Sequence, residues 1–124
     1  MSNLLHGDIT EKIIGASFDV HNSLGKGLAE KPYENALCVK LRSLGLRVEQ
    51  QKGLPVFFEG QNIGVQIVDL VVNDVVLVEI KAVRAISKSH ESQILGYLKN
   101  TKFEVGLLIN FGDRVEFKRF VHSY

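Results

Sequence analysis

The spacing of hydrophobic residues in the first third of the chain predicts two amphipathic helices. The first spans Ile9 to Leu24, with Asp8 or Thr10 as its cap. The second lies between Leu28 and Leu44, and Gly45 supplies a left-handed stop. The apolar stripe of the second helix, which we expect to face the core, consists of Tyr33, Leu37, Leu41 and Leu44.

From residue 47 to residue 81 the pattern changes to short runs of β-branched and apolar residues, which predict three consecutive strands. The runs are Arg47 to Phe58, Ile63 to Val72 and Val75 to Lys81, with turn-forming residues between them. Because Val75 to Val78 is apolar at every position, the third strand is expected to be covered on both faces and to lie centrally in the sheet.

The last third of the chain predicts one more helix and two strands. The helix spans about Lys88 to Asn100, with Ser87 or Ser89 as its cap and with inner residues Ile94, Leu95 and Leu98. Val105 to Asn110 is a short apolar run, and Val115 to Val121 alternates polar and apolar residues. The predicted order is therefore ααβββαββ, an α/β fold with a three-stranded antiparallel meander in a mixed sheet flanked by helices.

Composition adds the expectation of one domain over residues 1–124. The chain is 45% hydrophobic and 23% charged, which is ordinary for a globular domain. A single cysteine, Cys38, excludes an internal disulfide and a thiolate metal site. No apolar run approaches the ~20 residues of a membrane span, and Met1 to Asp8 lacks a signal-peptide pattern. We therefore expect a cytoplasmic protein without membrane contact.

The charges are distributed unevenly along the chain, although the net charge is only +1. Residues 1–80 contain 7 Lys and Arg against 10 Asp and Glu, whereas residues 81–124 contain 8 against 4. This asymmetry allows a polyanion to approach the second part of the chain, but a distribution that only serves solubility remains an equal alternative.

The most informative polar residues interrupt strands that are otherwise apolar. Glu79 and Lys81 end the third strand on one face, and Asp69 lies within the second. Burying such charges is costly unless they are paired or bind an ion. Two carboxylates suit Mg²⁺ or Mn²⁺ with a phosphate oxygen and water, and Lys81 would neutralise the attacked phosphate or position the water. The alternative is a salt-bridged strand end.

The metal site requires a particular register between the second and third strands. If Asn73 and Asp74 form a two-residue turn, Asp69 lies opposite Val78 and on the other face from Glu79. A three-residue loop or a β-bulge near Asp69 would bring the two carboxylates together. The sequence leaves these alternatives open.

Two helices add candidate residues to this site. Glu30 continues the inward stripe of the second helix and could be a third metal ligand, although a favourable interaction with the helix dipole is the preferred interpretation. His90, Gln93 and Tyr97 share one side of the third helix. They are interpreted either as a solvated polar stripe or as residues that contact phosphate or position a water.

The sequence around these residues resembles the small bacterial GxxExxY family of the PD-(D/E)xK nuclease superfamily. The naming motif appears as Gly27-Leu28-Ala29-Glu30-Lys31-Pro32-Tyr33. Further matching blocks are Asp69 to Val72, Val78 to Val83, Gln93 to Lys99 and Val105 to Gly112. They follow in the order of the family and span nearly the whole chain, with Val68 in place of the proline of the superfamily name.

The resemblance implies a restriction-endonuclease-like core and a metal-dependent phosphodiesterase. By analogy, the site residues would be Asp69, Glu79 and Glu30 for the metal, Lys81 and Gln93 for catalysis, and Tyr97 for the substrate, to which the polar stripe adds His90. The expected cofactor is Mg²⁺ or Mn²⁺, and DNA is favoured over RNA as the substrate.

A second function remains open at this stage. The near-neutral charge and the small size favour a catalytically weak or inactive nucleic-acid-binding or regulatory module that retains the nuclease fold. A small nuclease that cuts both strands usually acts as a symmetric pair, so a two-fold symmetric homodimer is a possible assembly, for which Val115 to Val121 at an edge of the sheet is a candidate surface.

Overall fold

The computed structural model describes residues 4–122, so residues 1–3 and 123–124 of the predicted domain lie outside the described residues. Within residues 4–122 the chain forms three helices and five strands in the predicted order ααβββαββ. These are α1 (Gly7–Leu24), α2 (Glu30–Ser43), β1 (Val48–Phe58), β2 (Gln61–Val72), β3 (Val76–Lys81), α3 (Lys88–Asn100), β4 (Val105–Phe111) and β5 (Val115–Val121). No helix among these residues is long and apolar enough to cross a membrane.

The strands form one mixed sheet in the order β1-β2-β3-β4-β5. Only β3 and β4 are parallel, and helix α3 forms the crossover that a parallel pair requires. The remaining pairs are antiparallel. Strand β3 lies in the centre and is buried from Val76 to Ile80, which confirms the expectation for this apolar run. The α/β class and the mixed sheet with its meander are therefore confirmed.

Hydrophobic clusters cover both faces of the sheet. Helices α1 and α2 pack on one face around Ile13, Tyr33, Leu37 and Leu41. Helix α3 packs on the other face, where Tyr97 and Leu98 join Leu77 and Val71. Helix α3 approaches β4 so closely at Gly106 that a Cβ there would lie 2.9 Å from Ile94 Cδ1.

Two residues assigned to the inner faces of helices are exposed instead. Leu44 lies at the C-cap of α2, where the backbone leaves helical geometry, so it no longer follows the stripe of Tyr33 and Leu41. Leu95 lies about 100° around α3 from its neighbour Ile94, and Tyr97 takes its place against the sheet. Both predictions were wrong, because each helix buries fewer positions against the sheet than its hydrophobic pattern indicated.

The sequence predicted the stop of α2 and the N-terminal caps of α1 and α3, and the structure confirms two of these three predictions. Helix α2 ends before Gly45, whose φ is +83°, and the Ser87 hydroxyl caps α3 as predicted. Helix α1 differs, because its N-cap is His6 and no side chain caps it. The Thr10 hydroxyl donates to the carbonyl of Gly7, while Asp8 lies in the first turn, where its negative charge interacts favourably with the helix dipole. The prediction that Asp8 or Thr10 caps α1 was therefore wrong.

Candidate functional site

The loop between β2 and β3 determines which residues of these strands meet. It contains three residues, Asn73 to Val75, because Val72 pairs with Val76. Asn73 and Asp74 have φ values of 49° and 57°, and Asn73 is fixed by two hydrogen bonds to the backbone of Arg47. The two-residue hairpin was therefore the wrong alternative, and the three-residue loop is the one that forms.

This register brings Asp69 and Glu79 together at the point where the ladder between β2 and β3 ends. The backbone N–H of Asp69 donates to Glu79 Oε1 over 3.0 Å, and the N–H of Ile80 donates to Asp69 Oδ2 over 2.8 Å. The two carboxylates thus replace backbone carbonyls as acceptors beyond the last ladder pair, Leu70 and Val78. Because each carboxylate holds a backbone group of the opposite strand, both side chains are fixed.

Strand β2 changes face at Asp69. Val68 packs with the cluster under α3, whereas Leu70 packs with the cluster under α1 and α2. Residues two positions apart lie on one face of a regular strand, so the backbone turns between them. Gln51 stands across from Asp69 on β1 and has a φ of +49°. Both strands are therefore irregular next to the pair of carboxylates.

The environment of Glu79 makes its ionised form unfavourable. The residue is only 4% exposed. Burial raises its pKa to about 8, and the negative charge of Asp69 contributes in the same direction, while Lys81 partly opposes the rise. The negative charge of Asp69 acts on Glu79 and is offset only in part by Lys81, which favours a further cation beside the two carboxylates.

Lys81 begins a chain of polar side chains that leads to α3. Its Nζ donates to Gln93 Oε1 over 3.2 Å, and Gln93 Nε2 donates to the hydroxyl of Tyr97 over 3.0 Å. Burial raises the pKa of Tyr97, and the charge of Glu79 raises it further. The structure thus joins Lys81, Gln93 and Tyr97 beside the two carboxylates, and their roles in catalysis and substrate binding stay predictions.

Glu30 and His90 are less closely joined to the site. Glu30 is exposed, and burial followed by the charge of Asp69 raises its pKa, so it lies within electrostatic reach. In the part of the chain that the structure describes, however, no three His, Cys, Asp or Glu side chains are grouped closely enough to hold a metal. The ring of His90 accepts a hydrogen bond from the Ser87 N–H in the capping box of α3. The metal role of Glu30 and the substrate role of His90 stay predictions.

The sequence reasoning missed a buried carboxylate on α2. Glu34, only 1% exposed, occupies the inward position that was assigned to Glu30. It accepts hydrogen bonds from Lys31 Nζ at 2.9 Å and from Gln50 Nε2 at 2.7 Å. The expectation that Glu30 faces inward was therefore wrong, because Glu30 begins α2 in an exposed position and the buried face of the helix starts at Tyr33 and Glu34. The position of Glu34, three residues before Leu37, was the available signal.

Gln51 links this carboxylate to the site and was also missed. Its Nε2 donates to Glu34 Oε1 at 3.0 Å and to Asp69 Oδ1 at 3.2 Å. One amide group therefore bridges two carboxylates on different elements and fixes the second oxygen of Asp69. No sequence pattern predicts this contact, since it depends on the left-handed backbone of Gln51.

The donor set fits a hard divalent cation. Mg²⁺ is commonly bound by one or two carboxylates with water in the other positions, and carboxylate oxygens accept more than one bond. Asp69 and Glu79 supply two such groups, and Lys81 lies next to them. A groove of about 250 Å³ adjoins the site, lined by Gln93 and Tyr97 together with Val56, Gln66, Ser92, Gly96 and Asn100.

Comparisons with known proteins identify the superfamily of the chain. A family model described as the PD-(D/E)XK nuclease superfamily matches residues 7–120. No curated protein sequence matches the chain significantly.

Several solved structures resemble the chain, among them the following two. The structure titled SSO0001 has a TM-score of 0.61 at 17% identity, and the match covers 96% of this chain and 60% of SSO0001. This likeness shows a shared fold, and the chain spans only about 60% of the length of that protein. An alkaline exonuclease, LHK-Exo from Laribacter hongkongensis, has a TM-score of 0.47 at 12% identity, with 99% of this chain and 73% of LHK-Exo covered. Since the family model extends over nearly all of the sequence, the chain belongs to the PD-(D/E)XK nuclease superfamily.

Proposed function

We propose that the protein is a Mg²⁺- or Mn²⁺-dependent nuclease of the GxxExxY type that hydrolyses phosphodiester bonds of DNA. The observation that supports this most strongly is that the carboxylates of Asp69 and Glu79 are each fixed by a backbone N–H of the opposite strand, beside Lys81. Two fixed carboxylates and one amine are the groups that metal-assisted phosphodiester hydrolysis requires. Membership of a nuclease superfamily makes this chemistry the preferred explanation for them.

The side chains have distinct roles in this proposal. Asp69 and Glu79 would hold the cation, which supplies Lewis-acid activation of the phosphate when bound. The ammonium of Lys81 stabilises the charge that develops on the phosphate and orients the attacking water. Gln93 accepts a hydrogen bond from that ammonium and keeps it next to the carboxylates. Tyr97 and His90 would contact the substrate along α3.

A binding or regulatory module without catalysis is the second candidate. The net charge of +1 favours it, because tight binding of a bare duplex needs many phosphate contacts from Lys and Arg. This module would bind DNA in a salt-dependent manner and would release no product.

Incubation of the protein with labelled DNA and RNA of single-stranded, duplex and branched forms separates these candidates. We expect cleavage of at least one DNA form in Mg²⁺ or Mn²⁺, and its loss in EDTA, because the metal ligands are hard oxygens. The activity must co-elute with the protein through two different columns. Salt-sensitive binding without product in either metal would reject the nuclease and select the module.

The bridging amide of Gln51 provides a more specific prediction. The variant Gln51→Met keeps the length of the side chain but removes both donors to Glu34 and Asp69. Since groups that orient metal ligands typically contribute 10- to 100-fold, we expect the cleavage rate to fall by about tenfold or more. Single-turnover kinetics measures this loss. The control Gln50→Met removes donors to Glu34 and Asn35 but none to Asp69, so a similar loss in both variants would contradict the role of the bridge.

A further inference from the structure

A second groove, with a volume of about 660 Å³, is formed by three connecting segments of the chain. Its lining consists of residues 26–28 between α1 and α2, residues 82–84 after β3, and residues 111–113 at the turn between β4 and β5. We call it the loop groove. No residue of α3 lines it, so it is distinct from the groove of Gln93 and Tyr97.

The loop groove adjoins the candidate site through two of its segments. Lys81 ends β3, and Ala82, the next residue, already lines the groove. Leu28 lines it two residues before Glu30, whose pKa responds to the charges of the site. The ammonium of Lys81 contacts Gln93 in the groove on the α3 side. A strand of nucleic acid that passes over Lys81 would therefore meet both grooves.

A buried amide fixes the wall that follows β3. Asn110 is fully buried, and its Oδ1 accepts a hydrogen bond from the Val83 N–H over 2.9 Å. Its Nδ2 donates to the Val83 carbonyl, also over 2.9 Å. The contact with the next wall is close, because a Cβ at Gly112 would lie 2.9 Å from the Val83 oxygen. Both polar groups of the Val83 backbone are thus held by one side chain.

An aromatic stack fixes the other two walls. The rings of Tyr33 and Phe111 lie 4.7 Å apart and nearly parallel, and the ring of His21 stacks on Phe111 at 6.5 Å. His21 Nε2 donates to the carbonyl of Gly112 over 2.8 Å, and the Tyr33 hydroxyl accepts from the Leu28 N–H over 3.3 Å. All three walls are therefore held by side chains of the protein, which lowers the ordering cost of binding a ligand between them.

The cations at this groove are available for a ligand. Lys26 and Arg84 belong to its lining. Arg84 also lines an adjoining groove of about 410 Å³, to which the β4–β5 turn contributes Arg114. Both arginines are exposed, and within residues 4–122 neither forms a salt bridge. Two unpaired guanidinium groups thus lie on segments that meet at the same place.

The acids at the two adjoining grooves already have partners. Asp113 pairs with Lys26 over 3.7 Å, in an exposed surface pair that contributes little and opens easily. Glu116 Oε1 accepts a hydrogen bond from Asn110 Nδ2 over 3.1 Å. By contrast, none of the described residues that line the groove on the α3 side is charged. An anion is therefore better accommodated at the loop groove.

We propose that the loop groove binds the phosphate backbone of the nucleic acid beside the candidate site, with Arg84 and Arg114 as its principal contacts. The inference rests on the nucleic-acid binding that the nuclease and the non-catalytic module share. Guanidinium groups bind phosphate through two parallel hydrogen bonds. The groove also gives a location to the excess of Lys and Arg in residues 81–124. Concentrated cations allow phosphate contacts despite a net charge of only +1.

Fluorescence anisotropy with labelled single-stranded DNA, duplex DNA and RNA of one sequence tests the proposal. Binding is measured in EDTA and again in Ca²⁺, a hard cation that takes oxygen ligands, and electrophoresis checks that the probes stay intact. For the probe that binds best, Arg84→Gln should make the slope of log affinity against log salt shallower by about 1. The variant Arg84→Gln with Arg114→Gln should make it shallower by about 2.

Two control variants accompany this measurement. Arg84→Lys keeps the positive charge and should keep the wild-type slope. Lys12→Gln removes an exposed lysine of α1, roughly 18 Å along the helix from the end next to the groove, and should leave the slope unchanged. Thermal unfolding checks that each variant is folded. Because Arg84 and Arg114 lie in different loops, each single variant also tests the groove by itself.

Two results would overturn the proposal. One is a wild type that binds none of the probes in either condition, and the other is a double arginine variant with the wild-type slope. Cleavage assays decide the nuclease function separately. A protein that binds through both arginines but cleaves nothing keeps this surface and rejects the nuclease. A nuclease whose salt dependence is the same without both arginines rejects this surface alone.

Discussion

Replacing Lys81 with alanine is expected to reduce the rate of metal-dependent phosphodiester cleavage by about 10²- to 10³-fold. This is the usual loss when one group that stabilises transition-state charge is removed. Lys81 ends β3 and is only half-buried, so the variant should fold. Mn²⁺ affinity should be unchanged or slightly higher, because a neighbouring positive charge is removed. Single-turnover cleavage and calorimetric Mn²⁺ titration measure the two quantities separately.

The comparison with Asp69→Asn identifies the role of each group. The amide retains an oxygen for the Ile80 N–H but loses the negative charge, so Mn²⁺ affinity should fall by at least about 10²-fold together with cleavage. The control Lys99→Ala removes an exposed lysine near the far end of α3 and should leave both quantities unchanged. A Lys81→Ala variant with an almost normal cleavage rate would remove this residue from the catalytic group.

The sequence predicted the fold well because periodicity alone determines most of it. The order ααβββαββ and the limits of α3 and β5 agree with the pattern, and the apolar run in β3 identified the central strand. Errors occurred where periodicity gives little information. Two features were predicted wrongly, the cap of α1 and the burial of residues at the edge of an apolar stripe. Whether such an edge residue is buried, as for Leu44 and Leu95, depends on where the neighbouring element ends.

The candidate site likewise contains residues that the sequence pattern identified and residues that it missed. Asp69 and Glu79 were identified because a carboxylate within an apolar strand needs a partner, but their meeting depends on one additional loop residue before Val76. The stripe of α2 identified the correct face of the helix but assigned the inward position to the wrong acid, while the metal role of Glu30 stays a prediction. Glu30 at the exposed first turn was chosen over Glu34 at the buried second position. The role of Gln51 could not be predicted from the sequence, because its hydrogen bond to Asp69 depends on the left-handed backbone conformation of Gln51 in the folded sheet.

The last prediction concerns the stability of the metal-free protein, which should fall as pH rises because of Glu79. Burial and the charge of Asp69 raise the pKa of Glu79 from 4.5 to about 8 in the folded state. A raised pKa means that the folded state binds this proton more tightly than the unfolded state does. The contribution is complete below pH 4.5 and is lost as pH rises through about 8. Its full size is on the order of 4 kcal/mol.

The variant Glu79→Gln should remove this loss, because its neutral amide resembles the protonated acid at every pH. Urea unfolding in EDTA is the measurement. The variant should match the wild type near pH 5 and exceed it by on the order of 3 to 4 kcal/mol near pH 9. Glu59→Gln, at the exposed turn of the hairpin, controls for the substitution. Mg²⁺ should then stabilise the wild type at high pH much more than Glu79→Gln, because a neutral amide holds the cation far more weakly than an ionised carboxylate. Parallel pH profiles for wild type and Glu79→Gln would show that the buried carboxylate does not control this equilibrium.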